Sequence, residues 1–513
     1  MMNRDVCGRE RAKWSMLCTL LAMLAVHAYR YMTLGFTDDS VEIVQRTDRY
    51  WQIALGRWLQ PVYWELRGDI VVPYLIGLLS CLFLGAAVCL IVRMLDLRSK
   101  SAIAMLCALL AGNATLTFSN ATFISWSDVY MLAMLLAVAA VALWLRGGWY
   151  TALSPVLLCA SLALYQSYFQ VAVLLFLVVL CRRAAQKEDL RRLIGAGFLA
   201  LGILLAALLL YDASVSVVDW KTGIARATSY NGIGNVGGYA LSDMPGLLAQ
   251  TWSYPFRFFL KPDANNPAFT AMLYYGLIVF TAPALAALVF ARRLDAPHAV
   301  FMLVMTALMP LGMNCVYFIS KGLADELMVY SFYVFFAYPI WLAEQLEPAV
   351  KAERLRIVRG ALAAAVALIF LNNAVYANQQ YVRRDLEFQS TLSVMTRVID
   401  RAEQTEGYEP GMTPVALVGT MYDSPLAMER PGFEHLYELS ETMNRNLYAT
   451  SSEEFYPDYF WRILGYPFNL LGNNDRSRVA EMDVVRGMPA FPAKDSVQMI
   501  DGTLVIKLGE TVK

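Results

Sequence analysis

The apolar residues of this chain fall into long runs separated by short polar stretches. About eleven runs reach roughly 17 to 25 residues, the length a helix needs to cross a hydrocarbon core. They lie approximately at 14–34, 71–94, 102–118, 127–145, 150–166, 168–181, 193–212, 271–291, 298–319, 327–346 and 358–378, the sixth being short. Pro155, Pro283 and Pro310 fall inside runs, which membrane helices tolerate better than soluble ones. Arg4, Arg9, Arg11 and Lys13 precede the first run. That run is long and many others follow it, so it reads as an uncleaved signal anchor rather than a signal peptide.

Composition agrees with the pattern. Of 513 residues, 58% are hydrophobic and 16% charged, which makes a multi-span α-helical membrane protein the expected class. Lys+Arg and Asp+Glu both total 42, a balance that argues for neither a nucleic-acid nor a polyanionic partner, and none of nucleic-acid type is expected. None of the eight cysteines has metal-ligand spacing, and none follows Cys315. A C-terminal region exported from the cell therefore folds without disulfides.

Charge sets the expected orientation. Arg93, Arg98 and Lys100 follow the second run, Arg146 the fourth, and Arg182, Arg183, Lys187, Arg191 and Arg192 the sixth. Arg292 and Arg293 follow the eighth, and Lys351, Arg354, Arg356 and Arg359 the tenth. The alternate short loops carry only Lys321. The positive-inside rule then puts the N-terminus in the cytoplasm. With an odd number of spans, the loops 35–70 and 213–270 and the C-terminal tail lie outside.

Residues 383–513 are different in character. An amphipathic helix is expected near 385–405, where Leu386, Leu392, Met395, Val398 and Ile399 share a face. Thr413–Gly419 reads as a buried strand, and 496–507 as a β-hairpin around Asp501-Gly502. The expected organisation is a transmembrane domain over 1–382 and a small extracytoplasmic α/β domain over 383–513.

Chemistry concentrates in the first outer loop. Asp38 and Asp39 follow the first run, and ionisable pairs at a membrane edge are costly enough to suggest function. Arg49, Tyr50, Trp51, Gly56-Arg57-Trp58 and Trp64 come next. The acidic pair, the Gly56-Arg57-Trp58 element, Leu164-Tyr165-Gln166-Ser167-Tyr168, and Met488-Pro489-Ala490-Phe491-Pro492 ahead of the Asp-Gly hairpin together resemble the type II glucosyltransferase family of O-antigen modification. The resemblance implies a GT-C type membrane fold. It also implies a sugar, glucose in the family, taken from a polyprenyl-phosphate carrier on the outer face of the bacterial inner membrane. The implied acceptor is a lipid-linked surface glycan, and the implied helpers are a flippase and a polyprenyl-phosphate glucosyltransferase.

Such transfer needs a base for the acceptor hydroxyl and cations for the departing phosphate. Asp38 or Asp39 is the candidate base; the plain alternative is helix capping or an ion pair with Arg46 or Arg49. Asp128, at the outer start of the fourth run, either faces the same cavity or stabilises its own helix N-terminus. Outer-face acids could also bind a divalent cation. Arg57 is the leading phosphate ligand because its planar fork suits phosphate oxygens. Lys221, Arg226 and Lys321 are the next cations on that side. Trp58, Tyr165 and Gln166 are candidate sugar or lipid contacts, against the alternative of an interfacial aromatic belt. His27, His298 and His435 are scattered and read as structural. The glycine-rich 231–238 has no strand before it and is no dinucleotide fingerprint. A proton-coupled transporter and a polyprenyl-linked polymerase or ligase remain the alternatives. Paired half-repeats are missing for the first, whereas the second shares the topology.

Overall fold

A computed structural model of the protein describes residues 2–36, 49–228, 240, 242–262, 267–322, 326–346, 352–421, 426, 432–433, 436 and 455–510. Helices α1 (Met2–Met32), α2 (Arg49–Ala54), α3 (Leu59–Arg67) and α4 (Pro73–Leu95) are followed by α5 (Lys100–Ala111) and α6 (Ala114–Thr122). Then come α7 (Ser127–Arg146), α8 (Ser154–Leu164), α9 (Phe169–Ala185), α10 (Leu190–Thr222), α11 (Met244–Leu260), α12 (Ala268–Ala291) and α13 (Ala296–Met313). Three short helices, α14 (Cys315–Ile319), α15 (Tyr330–Val334) and α16 (Ala337–Gln345), lead into α17 (Ala352–Glu403).

Among the described residues eight helices are long and apolar enough to cross a membrane, or nine if α5 and α6, bent by 41°, form one span. Long apolar runs become helices because only a helix satisfies its own backbone where no water is available. The other two expected runs take different forms. The run at 150–166 is a 3-10 turn, Gly148–Leu153, followed by the short α8. The run at 327–346 is broken into pieces. Residues 329–343 are all buried, so that irregular backbone is enclosed by protein rather than lipid. The expected outer loop 213–270 holds α11, whose Trp252 indole donates to the Ala307 carbonyl at 3.0 Å and pins it to α13.

Close approach builds the first layer. Gly77 in α4 faces the Tyr31 ring of α1, where an added Cβ would lie 2.3 Å from ring carbon. Small residues at such crossings let helices pack where no hydrophobic gain separates protein from lipid.

The basic loops gather at one end of the bundle. Asp96 accepts from Arg11 at 2.8 Å and Arg98 at 2.7 Å. Burial pushes the Asp96 carboxyl up, and the two guanidinium groups overcome that and hold it below the ordinary range. Glu344 accepts from the Arg98 and Ser99 backbone at 2.6 and 2.9 Å. Arg183 bonds Glu188 at 2.7 and 2.5 Å, and His298 meets the Glu188 carbonyl at 2.8 Å. Arg292 donates to Gln345 at 2.8 Å. The loops bearing Arg57, Arg67 and Gln166 lie at the opposite end.

The last expected span and the amphipathic stretch after it form one helix. At about 1.5 Å per residue, the 52 residues of α17 extend roughly 78 Å, well beyond a hydrocarbon core. Residue 382, the expected domain boundary, falls within it. Beyond α17, strands β1 (Pro414–Val418), β2 (Asn469–Leu470), β3 (Val497–Ile500) and β4 (Thr503–Lys507) form a sheet of order β2-β1-β4-β3. β1 is parallel to both neighbours, and β3 and β4 are an antiparallel hairpin. Asp501 and Gly502 have φ of 46° and 76°, the positive pair that a two-residue hairpin turn requires. Phe491 lies against Arg397 and Arg401 of α17, and Arg401 also donates to the Ala493 carbonyl at 2.8 Å. The sheet region is thereby docked on the helix that leaves the bundle.

Candidate active site

Arg57 owes its position to a glycine. Gly56 has φ of 75°, and a Cβ there would sit 2.4 Å from the Tyr211 hydroxyl of α10. A side chain is therefore excluded both by backbone conformation and by contact. The turn between α2 and α3 lies against α10, and Arg57 points toward the segment joining α8 and α9. Its Nε donates to the Gln166 side-chain oxygen at 3.3 Å, and its guanidinium lies 4.7 Å from the Tyr165 ring centre.

Gln166 is fixed in turn. Its amide nitrogen donates to the Leu55 carbonyl at 2.8 Å and to the Tyr211 hydroxyl at 2.9 Å. Trp58 donates to Ser214 of α10 at 3.0 Å. Four residues picked out from the sequence, Arg57, Trp58, Tyr165 and Gln166, thus meet in one half-buried to buried cluster. Among the described residues the two terminal nitrogens of Arg57 have no hydrogen-bond partner. They are the part of the fork free to receive an anion. Tyr211 and Ser214, which seat the cluster, had no sequence signal because they sit within and just past an apolar run.

Asp128 occupies a separate, sealed position in the first turn of α7. Its carboxylate accepts from Arg67 at 2.7 Å, from the Tyr63 hydroxyl at 2.9 Å and from the Val129 backbone at 3.0 Å. The side chains of Arg67 and Asp128 are 2% and 0% exposed. Burial and the neighbouring carboxylate push the Tyr63 phenol up, which keeps it a proton donor. Arg67 also donates to the Ser125 carbonyl at 3.0 Å. Beside it, the Trp126 indole donates to Gln60 at 3.1 Å, and Trp64 packs edge-on to Trp126. In this arrangement Asp128 orients α3 and its helix N-terminus, with no open face.

The remaining cations differ in availability. Arg226 donates to Asp212 and Asp219 at 2.7 Å each and to Ser216 at 2.7 Å. Those two carboxylates raise its pKa and use its donors. Lys221 is exposed in the last turn of α10, apart from these pairs. Lys321 is exposed at a left-handed turn, φ 55°, after α14.

Asp38, Asp39, Arg46, His435 and the glycine-rich 231–238 lie outside the described residues. The chain enters that first segment from Phe36, which packs edge-on to Phe388 of α17 at 6.0 Å. His27 and His298 are both held by hydrogen bonds inside the protein. Among the described residues no three His, Cys, Asp or Glu side chains group as metal ligands.

The sealed pair has a measurable consequence. Asp128→Asn leaves the Arg67 charge buried without its counterion and lowers stability by about 3–5 kcal/mol. Replacing both partners, Arg67→Met with Asp128→Leu, restores most of the loss. Thermal melting of the purified protein in detergent checks this; an unchanged melting temperature in Asp128→Asn would show the pair to be dispensable.

The family model described as Glucosyl transferase GtrII matches residues 36–343. No curated protein and no solved structure matches the chain. The matched residues make up more than half of the sequence and include Arg57, Asp128, Gln166 and Lys321. The chain, a helical membrane protein with this cluster at one end of its bundle, belongs to the glucosyl transferase GtrII family.

Proposed function

We propose that the protein moves a single sugar, glucose by family, from a polyprenyl-phosphate carrier to a lipid-linked glycan such as O-antigen. The reaction takes place at the outer face of a bacterial inner membrane. One observation carries this reading: the seated Arg57 fork, with two free nitrogens, beside Gln166 and within the residues matched to a glucosyl transferase family.

The roles follow from the chemistry. Asp38 or Asp39 removes the proton of the acceptor hydroxyl. The freed oxygen bonds to the anomeric carbon as the bond to the carrier phosphate breaks. The electron pair leaves with the phosphate, whose growing charge Arg57 stabilises. Gln166 and Trp58 flank the sugar, and Lys221 and Lys321 are the further cations on the outer side. Arg226 is the weaker phosphate ligand because two carboxylates already neutralise it. A divalent cation on the acidic pair would reinforce the same step. A cavity of about 500 Å³ between α11, α12 and α13, walled by Trp252, Phe256, Leu285, Val289 and Leu303, suits a prenyl chain. A flippase and a polyprenyl-phosphate glucosyltransferase would supply the donor.

Release of polyprenyl phosphate together with one hexose added to the acceptor tests the reading directly. Uptake of a solute into proteoliposomes without transfer would replace it with a transporter, and joining of whole oligosaccharides with a polymerase or ligase.

The gathering of basic loops at one end supports an orientation with that end in the cytoplasm. A reporter after Lys513 then reads as extracytoplasmic and one near Lys187 as cytoplasmic. The same compartment for both defeats this topology.

Asp38→Asn or Asp39→Asn lowers transfer by roughly 100-fold or more, the scale for loss of a general base, at unchanged protein level. Near-normal turnover in both single variants would remove the pair from the mechanism.

Arg57→Ala lowers turnover at saturating donor, and Arg57→Lys recovers only part, since an ammonium keeps the charge and loses the fork. Kinetics on equal amounts of folded protein decide. Full rescue by lysine, or loss of protein abundance alone, would mark Arg57 as an interfacial anchor.

A further inference from the structure

The cavity beneath α11 has the form of a lipid slot. Its walls run along α12 from Ile278 to Phe290 and along α13 from Ala299 to Pro310. At about 1.5 Å per residue the α13 wall covers roughly 16 Å, about half of a hydrocarbon core. α11 closes the outer end, where Trp252 and Phe256, one turn apart, form a roof. Three contacts hold that roof in place. They are the Trp252 bond to α13, the Asn314 amide donating to the Thr251 carbonyl at 2.9 Å, and Tyr254 stacked on Tyr317 at 4.9 Å.

The walls say what kind of group fills it. Packed helices leave few voids larger than a water molecule, yet this space holds about 500 Å³. Ala282 and Ala286 on α12 and Ala299 on α13 leave room that larger side chains would take. Phe290 and Leu303 line the space and are 80% and 56% exposed, so it opens sideways to lipid. The wall hydroxyls are satisfied within the protein, Thr281 by the Leu277 carbonyl at 3.4 Å and Thr306 by the Met302 carbonyl at 2.8 Å. A hydrocarbon chain is the occupant such walls fit.

The roof helix also carries charge suited to a head group. Arg257 directly follows Phe256, and Lys261 comes one turn later at the end of α11; both are exposed. Among the described residues neither side chain has a hydrogen-bond or ion-pair partner. Basic residues beside an apolar slot between membrane helices suit an anionic lipid. They belong to a different part of the bundle from Arg57. α2 packs on α10 and α3 on α8, whereas α11 packs on α12, α13 and α14. A phosphate held by Arg57 therefore leaves Arg257 and Lys261 for a second lipid. We infer that the groove beneath α11, with Arg257 and Lys261 beside its roof, binds the polyprenyl diphosphate carrier of the acceptor glycan. This assignment rests on the transfer reading, in which donor and acceptor are both lipid-borne and each chain needs a place. Two cations one turn apart match two linked phosphates, while the donor's single phosphate goes to Arg57.

Affinities of the purified full-length protein for polyprenyl diphosphate, polyprenyl monophosphate and phosphatidylglycerol, measured by native mass spectrometry, test the site. Ala286→Phe fills part of the groove, and Arg257→Gln combined with Lys261→Gln removes the charge beside it. Each weakens diphosphate binding by about tenfold or more and leaves monophosphate binding unchanged. Arg57→Ala does the reverse. The two glutamines replace exposed side chains, so that variant decides the matter if Ala286→Phe fails to fold. Unchanged diphosphate affinity in either folded variant overturns the assignment. Loss of monophosphate binding in the groove variants would make this the donor's slot, and equal loss of phosphatidylglycerol a general anionic-lipid site; either result also overturns it. If Arg57→Ala leaves monophosphate binding intact while the groove variants lose the diphosphate, the Arg57 assignment fails and the acceptor slot stands.

Discussion

An ion pair enclosed in apolar surroundings organises the outer end of this bundle. Arg67 and Asp128 come from elements 61 residues apart and are both sealed from solvent. Neither charge could be held there alone, so the pair commits α3 to the N-terminus of α7. Once α3 is committed, the Gly56 turn has one place to go. It is pressed against α10, Tyr211 fills the space a side chain would need, and Arg57 is directed at Gln166. The position of the candidate phosphate ligand therefore depends on a carboxylate that does not touch it.

Charged groups at both ends of the bundle are tied to partners in other elements. At the basic end, carboxylates such as Asp96, Glu188 and Glu344 are matched to cations or backbone donors, and loops are tied together. At the other end Arg67 pairs with Asp128, while Arg57 is only partly engaged. Among the described residues Arg57 keeps two nitrogens without a hydrogen-bond partner. Arg226 shows the contrast within the same end, since its carboxylate partners leave it closed.

α17 connects these regions. It begins at the basic end, passes the lipid-facing surface marked by exposed Leu371 and Val375, and continues to Arg383, Arg384 and the docked sheet. The sheet region and the buried arginines therefore sit on one continuous helix.

Much of this was legible in the sequence. Long apolar runs report helices wherever the backbone must satisfy itself, and the eight long spans follow from that alone. The strand at 414–418 and the hairpin at Asp501-Gly502 were equally plain, because alternation and positive-φ turn residues are local properties. Gly56-Arg57-Trp58 and Tyr165-Gln166 stood out as residue types, though not as neighbours. Tertiary structure alone decided the rest. Burial by protein broke the 327–346 run, and continuity of hydrogen bonding fused two expected helices into α17. Asp128 found Arg67, and Arg226 found two aspartates. Spacing along a chain records what a residue can do. Which charge it meets across tens or hundreds of residues depends on packing, and packing is where these fates were set.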